Sequence, residues 1–205
     1  MGPFPGDIRI EMCMILAASM NANAPDTADS AIAALKRGEL DALEGIMSQY
    51  QHRLYRYLLR LTQDGAAADD LFQVTWLRVI EKIGRYDARR NFTPWLFAVA
   101  RNLAIDYLRQ RRDTSLDAPQ ESGTSPGERI AAAGLDPLQQ LLEFERGAML
   151  AAAISELPVI HRDVLTLRFE EDMKLEEIAE VSEIPLSTVK SRLLRAMESL
   201  RRRLQ

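Results

Sequence analysis

Two helical periodicities separated by a short break constrain the end of this chain more than any other feature. Leu175 to Val181 reads as a short helix, Ser182 to Pro185 as a tight turn, and Leu186 to Leu204 as a long amphipathic helix. A helix, a turn of three or four residues and a second helix make up the helix-turn-helix pattern. At about 100° per residue, Val189, Leu193, Ala196, Met197, Leu200 and Leu204 share one side and are expected to be core. Thr188, Ser191, Arg192, Arg195, Ser199 and Arg202 share the other. Hydroxyls and guanidiniums of this kind contact phosphates and base edges in a DNA major groove. Residues near the helix N-terminus lie closest to the bases, so Ser187, Thr188, Ser191 and Arg192 are candidate base readers, with Lys190 and Arg195 on phosphates. The plainer alternative is an amphipathic surface helix without a ligand.

The rest of the chain is also helical in pattern. Strand-like alternation is absent, and glycine and proline are sparse enough to permit long helices. Helical periodicity begins at Asp29 or Ser30 and pauses at Arg37-Gly38-Glu39. It resumes through Leu43, Ile46, Tyr50, Leu54, Leu58 and Leu61, and Gln63-Asp64-Gly65 stops it. A second helix is expected from Ala66 to Ile83, with Leu71, Val74, Leu77, Val79 and Ile80 apolar. Gly84 to Asn91 reads as a short basic loop. Thr93-Pro94 then reads as an N-cap and first helical residue of a helix running to Arg112. Residues 113–135 are rich in Ser, Gly, Pro, Ala, Asp and Glu and read as a linker; helical pattern returns at Asp136-Pro137. The expected architecture is all-α, two small helical domains on a flexible tether. Its divisions are 1–27 (a disordered N-terminal extension), 28–112, 113–135 (the linker) and 136–205.

Several function classes are set aside at this level. No run of about 18 apolar residues is present, so no membrane insertion is expected. Met12 to Ala24 imitates a secretory signal, but Asp7 and Glu11 stand against Arg9 where positive charge belongs. The expected location is the cytoplasm, which the single cysteine, Cys13, also suits. His52 and His161 are isolated, and no nucleophile–base set, phosphate loop or carboxylate pair occurs. The chain is therefore expected to bind no metal or cofactor and to catalyse nothing itself.

A net charge of −4 argues against DNA binding only until its distribution is read. Between Arg89 and Arg112 stand Arg89, Arg90, Arg101, Arg109, Arg111 and Arg112 against Asp106 alone. Between Leu186 and Gln205 stand Lys190, Arg192, Arg195, Arg201, Arg202 and Arg203 against Glu198. Two basic blocks with an acidic stretch between them suggest two nucleic-acid contacts. The helix of the first block places Leu96, Phe97, Ala100, Leu103, Ala104, Tyr107 and Leu108 on a core face and Trp95, Asn102, Asp106 and Arg109 opposite. A tryptophan beside an amide, a carboxylate and a guanidinium suits a surface that separates base pairs and holds unstacked bases. Arg89, Arg90 and Arg101 are candidate phosphate contacts for a displaced strand, and the Gly84–Asn91 loop a receptor for a flipped base. Two alternatives stay open: Trp95 packed under the preceding helix, and the arginines merely solvated.

The C-terminal stretch LEEIAEVSEIPLSTVKSRLLRA, Leu175 to Ala196, resembles the promoter −35 reading region of extracytoplasmic-function RNA polymerase sigma factors. The segment FTPWLFAVARNLAIDYLRQRR, Phe92 to Arg112, resembles their −10 recognition helix. Asp69 to Arg78 resembles the segment that docks on the polymerase clamp. Together the resemblance spans Ala42 to Arg112 and Leu138 to Leu204. It implies a sigma region 2 and a sigma region 4 that bind core polymerase, at its β′ clamp and β flap, and promoter DNA, with an anti-sigma factor as a further partner. It implies polymerase contacts at Asp69, Asp70, Leu71, Gln73 and Trp76. It implies −10 contacts at Arg89, Arg90, Asn91, Trp95, Arg101, Asn102, Asp106, Arg109 and Arg112. The linker acids Asp113, Asp117, Glu121 and Glu128 would imitate nucleic-acid charge in the polymerase channel. Two departures stand out: Glu183 occupies a turn position that is usually a glycine with positive φ, and Val74 one that is often acidic. The competing readings are a stand-alone helix-turn-helix regulator, which leaves Ala42 to Arg112 unexplained, and a helical protein-interaction adaptor, which leaves the basic blocks unexplained.

Overall fold

The computed structural model describes residues 27–39, 41–87, 90–114 and 147–204, and every regular element among them is helical. The N-terminal extension, the linker beyond residue 114, the Asp136-Pro137 helix start and Arg89 lie outside the described residues. The chain divides into two compact units. One holds the helices up to residue 114 together with residues 176–185; the other holds residues 147–175 and 186–204. Each is described by itself.

In the first unit, helix α1 (Thr27–Lys36) buries Ile32 and Leu35. It ends at Gly38, whose φ of 89° lets the N–H of Gly38 reach the Leu35 carbonyl and that of Glu39 the Ala34 carbonyl. A left-handed residue at this position closes the last turn, and glycine adopts it without a Cβ clash. Helix α2 (Asp41–Thr62) buries Ile46, Tyr50, Leu54, Tyr57, Leu58 and Leu61, an inward stripe with steps of three and four. Asp64 caps helix α3 (Gly65–Lys82): its Oδ1 accepts the Ala67 N–H, and its Oδ2 accepts from Arg111 at 2.9 Å.

Helix α3 divides its apolar residues between two faces, which the sequence reading left undivided. Its inner face is Ala67, Ala68, Leu71, Thr75, Trp76 and Val79, while Val74 and Leu77 point outward, Leu77 at 60% exposure. Small residues bring this helix close to its neighbours, and Thr75 turns its hydroxyl back to the Leu71 carbonyl at 2.6 Å. A 3-10 turn (Ile83–Arg85) leads towards helix α4 (Phe92–Thr114). This helix starts at Phe92, one residue before the expected cap. Asn91 therefore precedes the first turn, and the Thr93 hydroxyl bonds to the Tyr50 hydroxyl at 2.9 Å. Pro94 sits within the first turn, where a missing N–H costs nothing.

In the second unit, the helical residues 147–155 (α5) are followed by a break at Leu157-Pro158, as expected, and by helix α6 (Val159–Leu165). Arg162, 7% exposed, joins the two: one amino group of its guanidinium donates to the Ser155 carbonyl at 2.6 Å and the Leu157 carbonyl at 3.1 Å. It thus supplies donors that the end of α5 lacks. Helix α6 widens into a π-turn (Thr166–Glu170), which periodicity does not foretell. Leu150, Ala153, Ile154, Leu157, Leu165, Ala196 and Leu200 form the core, with Phe169, Leu193 and Met197 packed against it.

Helix α7 (Leu175–Ser182) and helix α8 (Leu186–Arg203) flank the turn read from sequence. Glu183 has φ 53°, so the chain does take the left-handed backbone that the resemblance implies. The Ile184 N–H reaches the Ala179 carbonyl at 3.1 Å and the Glu183 N–H the Glu180 carbonyl at 3.2 Å, which closes α7 as Gly38 closes α1. A side chain at that φ costs about 1 kcal/mol. Replacing Glu183 with Gly should therefore raise urea-unfolding stability by about 1 kcal/mol, whereas Glu183→Ala should not. Equal midpoints for Glu183→Gly and the parent chain would show that this turn carries no strain.

Candidate nucleic-acid interface

Helix α8 separates its faces largely as its sequence predicts. Val189, Ala196 and Leu200 are buried, and Leu193 and Met197 pack on the core. Leu204 departs from the expected core set and is 44% exposed, because the helix ends at Arg203. Ser187, Lys190, Ser191 and Arg195 are exposed, while Thr188 and Arg192 are half-buried. Ser191 donates its hydroxyl hydrogen to the Thr188 carbonyl at 3.0 Å, so its oxygen presents lone pairs outward.

His161 of α6, isolated in the sequence, comes near this face. Burial, and then the positive charges of Arg195 and Arg192, lower its pKa below the ordinary value. Its Nδ1 is buried with no hydrogen-bond partner. An imidazole held neutral beside two arginines keeps the face from accumulating a third positive charge.

Helix α4 carries the first basic block, with an aromatic cluster at its start. Tyr86 lies 5.0 Å from Trp95 and 5.7 Å from Phe92 between ring centroids, and Phe92 lies 5.5 Å from both Tyr50 and Trp95. Deeper in, Phe97 meets Tyr57 edge-on at 5.1 Å. Edge-to-face and tilted pairs at these separations each contribute about 0.5–1.5 kcal/mol beyond area burial. Trp95 is therefore half-buried against the turn residue Tyr86 and its own helix start, and the remainder of its indole faces solvent. Asn102, Asp106, Arg109 and Arg112 are exposed along the same helix, and Arg90 and Asn91 just before it. Arg109 and Asp106 approach to 3.9 Å, an exposed pair worth a few tenths of a kcal/mol.

Two arginines of that block are used internally. Arg101 is 8% exposed and engaged with other groups of the protein, so it is not the surface phosphate contact expected from its charge. Its position explains why: it lies four residues after Phe97 and three before Ala104, on the core face. Arg111 is bonded to the capping Asp64.

On α3, Asp69, Asp70 and Gln73 are exposed, but Leu71 and Trp76 are buried at 8% and 4%, so neither can be a direct docking contact. Trp76 packs against the Phe72 ring. The sequence reading missed Leu77 as a surface residue. The spacing Asp70, Gln73, Val74, Leu77 marks one outer helical stripe and could have found it. Tyr55 reaches Asp69: burial, the Asp69 charge and a hydrogen bond to Asp69 raise the phenol's pKa. Among the described residues, no helix is long and apolar enough to cross a membrane.

The lowered pKa of His161 has a consequence for stability. The unfolded chain binds a proton there near pH 6.5, while the folded protein binds it only at lower pH. The neutral imidazole's contribution is thus complete above about pH 6.5 and is lost as pH falls towards the folded-state pKa. His161→Gln should unfold with a shallower loss of urea midpoint between about pH 7.5 and 5.5 than the parent. Identical pH dependence in the two proteins would rule out a lowered pKa for the half-buried His161 imidazole.

Comparison with known proteins matches both halves of the chain. Residues 46–114 match the family model of sigma-70 region 2, and residues 147–200 that of sigma-70 region 4. The chain is 32% identical over 174 residues to the ECF RNA polymerase sigma factor SigW of Bacillus subtilis, covering 83% of this chain and 93% of that protein. It is 33% identical over 164 residues to the RNA polymerase sigma factor CarQ of Myxococcus xanthus, covering 80% and 90%. Two solved structures share the fold. CnrH, in complex with the cytosolic domain of CnrY, has a TM-score of 0.61 at 20% identity over 87% of this chain and 97% of that one. The sigma factor RpoE of Bartonella quintana, in complex with the anti-sigma factor NepR, has a TM-score of 0.63 at 22% identity over 79% and 96%.

Proposed function

From the premise that this chain belongs to the extracytoplasmic-function family of RNA polymerase sigma factors, we propose how its surfaces divide the work of starting transcription. An alternative sigma factor directs the polymerase to a class of promoters. In this one the divisions run 28–112 for region 2, 113–135 for the linker and 136–205 for region 4. Region 4 reads −35 duplex with Ser187, Thr188, Ser191 and Arg192 on base edges and Lys190 and Arg195 on phosphates. Region 2 opens the −10 element. Trp95 stacks against the junction of paired and unpaired DNA, Asn102, Asp106 and Arg109 hydrogen-bond to unstacked bases, and Arg89, Arg90, Asn91 and Arg112 hold the strand.

The observation that carries this reading is the division of helix α4. Its inner face is buried aromatic and aliphatic packing, while Trp95 keeps an open face and Asn102, Asp106 and Arg109 stand in solvent along the same helix. An indole braced from behind by two rings and open on its other side is the form of a stacking platform for a base.

Polymerase docks on the outer stripe of α3. We assign Asp69, Asp70, Gln73, Val74 and Leu77 to that contact, with the buried Leu71 and Trp76 shaping the helix beneath. An apolar centre with a polar rim is the ordinary anatomy of such an interface. Region 4 meets the β flap and region 2 the β′ clamp. The protein works in the cytoplasm, uses no cofactor or metal, and leaves phosphodiester chemistry to the polymerase. An anti-sigma factor is its regulator: RpoE of Bartonella quintana, which shares its fold, is seen bound to one. A stand-alone helix-turn-helix regulator is not favoured, because region 2 would have no role in it.

Runoff transcription tests the proposal. Purified core polymerase should initiate at a cognate promoter only when this chain is added, and equal transcript without it would refute the assignment. Leu77→Glu should weaken core binding by more than about tenfold with little change in melting temperature, as for an apolar interface residue replaced by a charge. Arg192→Ala should cost about 1–3 kcal/mol of −35 affinity and relax selectivity at one base pair. An unchanged −35 preference would remove Arg192 from the reading set.

A further inference from the structure

Helix α1 lies outside the segment matched to region 2, which begins at residue 46. It nevertheless packs on both α2 and the 3-10 turn that precedes the −10 helix. From its last turn, Lys36 Nζ donates to the Tyr86 carbonyl at 2.7 Å, a contact that spans fifty residues of sequence. Tyr86 is the residue on which the reading end of α4 leans: its ring meets Trp95 at 5.0 Å and Phe92 at 5.7 Å. Its hydroxyl donates to the Arg90 carbonyl, and the Arg90 N–H donates to the Asp87 carbonyl at 3.0 Å. Tyr86 itself is 4% exposed. Its backbone, ring and hydroxyl are thus each held: the Tyr86 N–H donates to the Ile83 carbonyl at 3.1 Å within the 3-10 turn, and Lys36 holds the Tyr86 carbonyl from outside it.

We propose that Lys36 is a positioning residue for −10 selectivity. By anchoring the Tyr86 carbonyl it sets the Tyr86 ring, and through that ring the angle of the Trp95 indole and the path of Arg90. This rests on the assignment of Trp95 and its neighbours to −10 reading. The chemistry favours lysine over a neutral donor: a charged ammonium forms a hydrogen bond to a carbonyl about twice as strong as a neutral group does. A side chain that met no DNA would then alter which −10 sequences are accepted, without altering −35 preference or polymerase affinity.

The test uses the full chain assembled with core polymerase on a promoter library with a fixed −35 element and a randomised −10 element. The readout is the ratio of initiation on the preferred −10 sequence to that on its single-base variants. This ratio is independent of the folded fraction. Lys36→Met should lower the ratio about three- to tenfold, less than the whole value of a hydrogen bond to a charged donor, because the loss reaches the DNA only through Tyr86. Lys36→Arg, which keeps a charged donor, should restore most of it, and −35 preference should stay unchanged in both. Trp95→Ala serves as the reference. If Trp95→Ala flattens −10 discrimination and Lys36→Met leaves it intact, the role given to Lys36 is wrong while the −10 assignment stands. If Trp95→Ala leaves discrimination intact, the −10 assignment itself fails and the role of Lys36 with it. A uniform loss of initiation across all −10 sequences in Lys36→Met, with an unchanged ratio, would likewise overturn the proposal, because it would mark the lysine as a fold contact only.

Discussion

The reading end of helix α4 depends on the aromatic packing behind it. Phe92 is wedged among Tyr50, Tyr86 and Trp95, and Phe97 meets Tyr57 one turn further in. These rings come from α2, from the turn before α4 and from α4 itself, so a single cluster fixes three pieces of backbone. Aromatic rings carry large buried areas with few rotatable bonds, and so hold a surface in place at little entropic cost. In the proposed reading, Trp95 then presents an indole face to DNA without first being ordered by it. Lys36 and the Tyr50–Thr93 hydroxyl pair add polar fixings at the edge of the same cluster.

Charge follows the same economy. The chain is acidic overall, yet some of its arginines never face a ligand. Arg162 satisfies carbonyls at the end of α5, Arg111 completes the cap of α3, and Arg101 is taken into the core face of α4. Of these, Arg162 supplies donors where a helix end lacks them, while Arg111 holds the capping carboxylate in place. Exposed cations also stand on α8 and on the flank and outer face of α4. In the proposed reading, phosphate contacts there give affinity that falls with salt, and the polar groups beside them give selectivity.

Much of this was legible in the sequence, and the exceptions have physical causes. The two faces of α8 followed from 3.6-residue periodicity, because a long amphipathic helix has only one way to bury its stripe. The left-handed backbone at Glu183 was implied by the family resemblance alone, and the structure shows it. Helix α3 was left undivided because Leu71, Val74, Trp76 and Leu77 are all apolar, so composition could not say which side was inner. The small residues Ala67, Ala68 and Thr75 decided it by allowing close approach. Arg101 misled because charge was counted without regard to helical phase. The π-turn at Thr166–Glu170 and the approach of His161 to Arg192 and Arg195 are set by packing between segments distant in sequence, which periodicity cannot report.

The central claim is that a braced Trp95 opens −10 DNA at the end of α4. It is tested most directly with promoter DNA carrying a fluorescent adenine analogue in the −10 element, whose emission rises when the base leaves the stack. Holoenzyme formed with the parent chain should raise that emission. Holoenzyme with Trp95→Ala should reduce the rise by more than about tenfold while −35 duplex affinity is retained, as expected for loss of a stacking platform. An undiminished rise with Trp95→Ala would contradict the account, because opening would then not depend on the residue that the aromatic cluster holds in place.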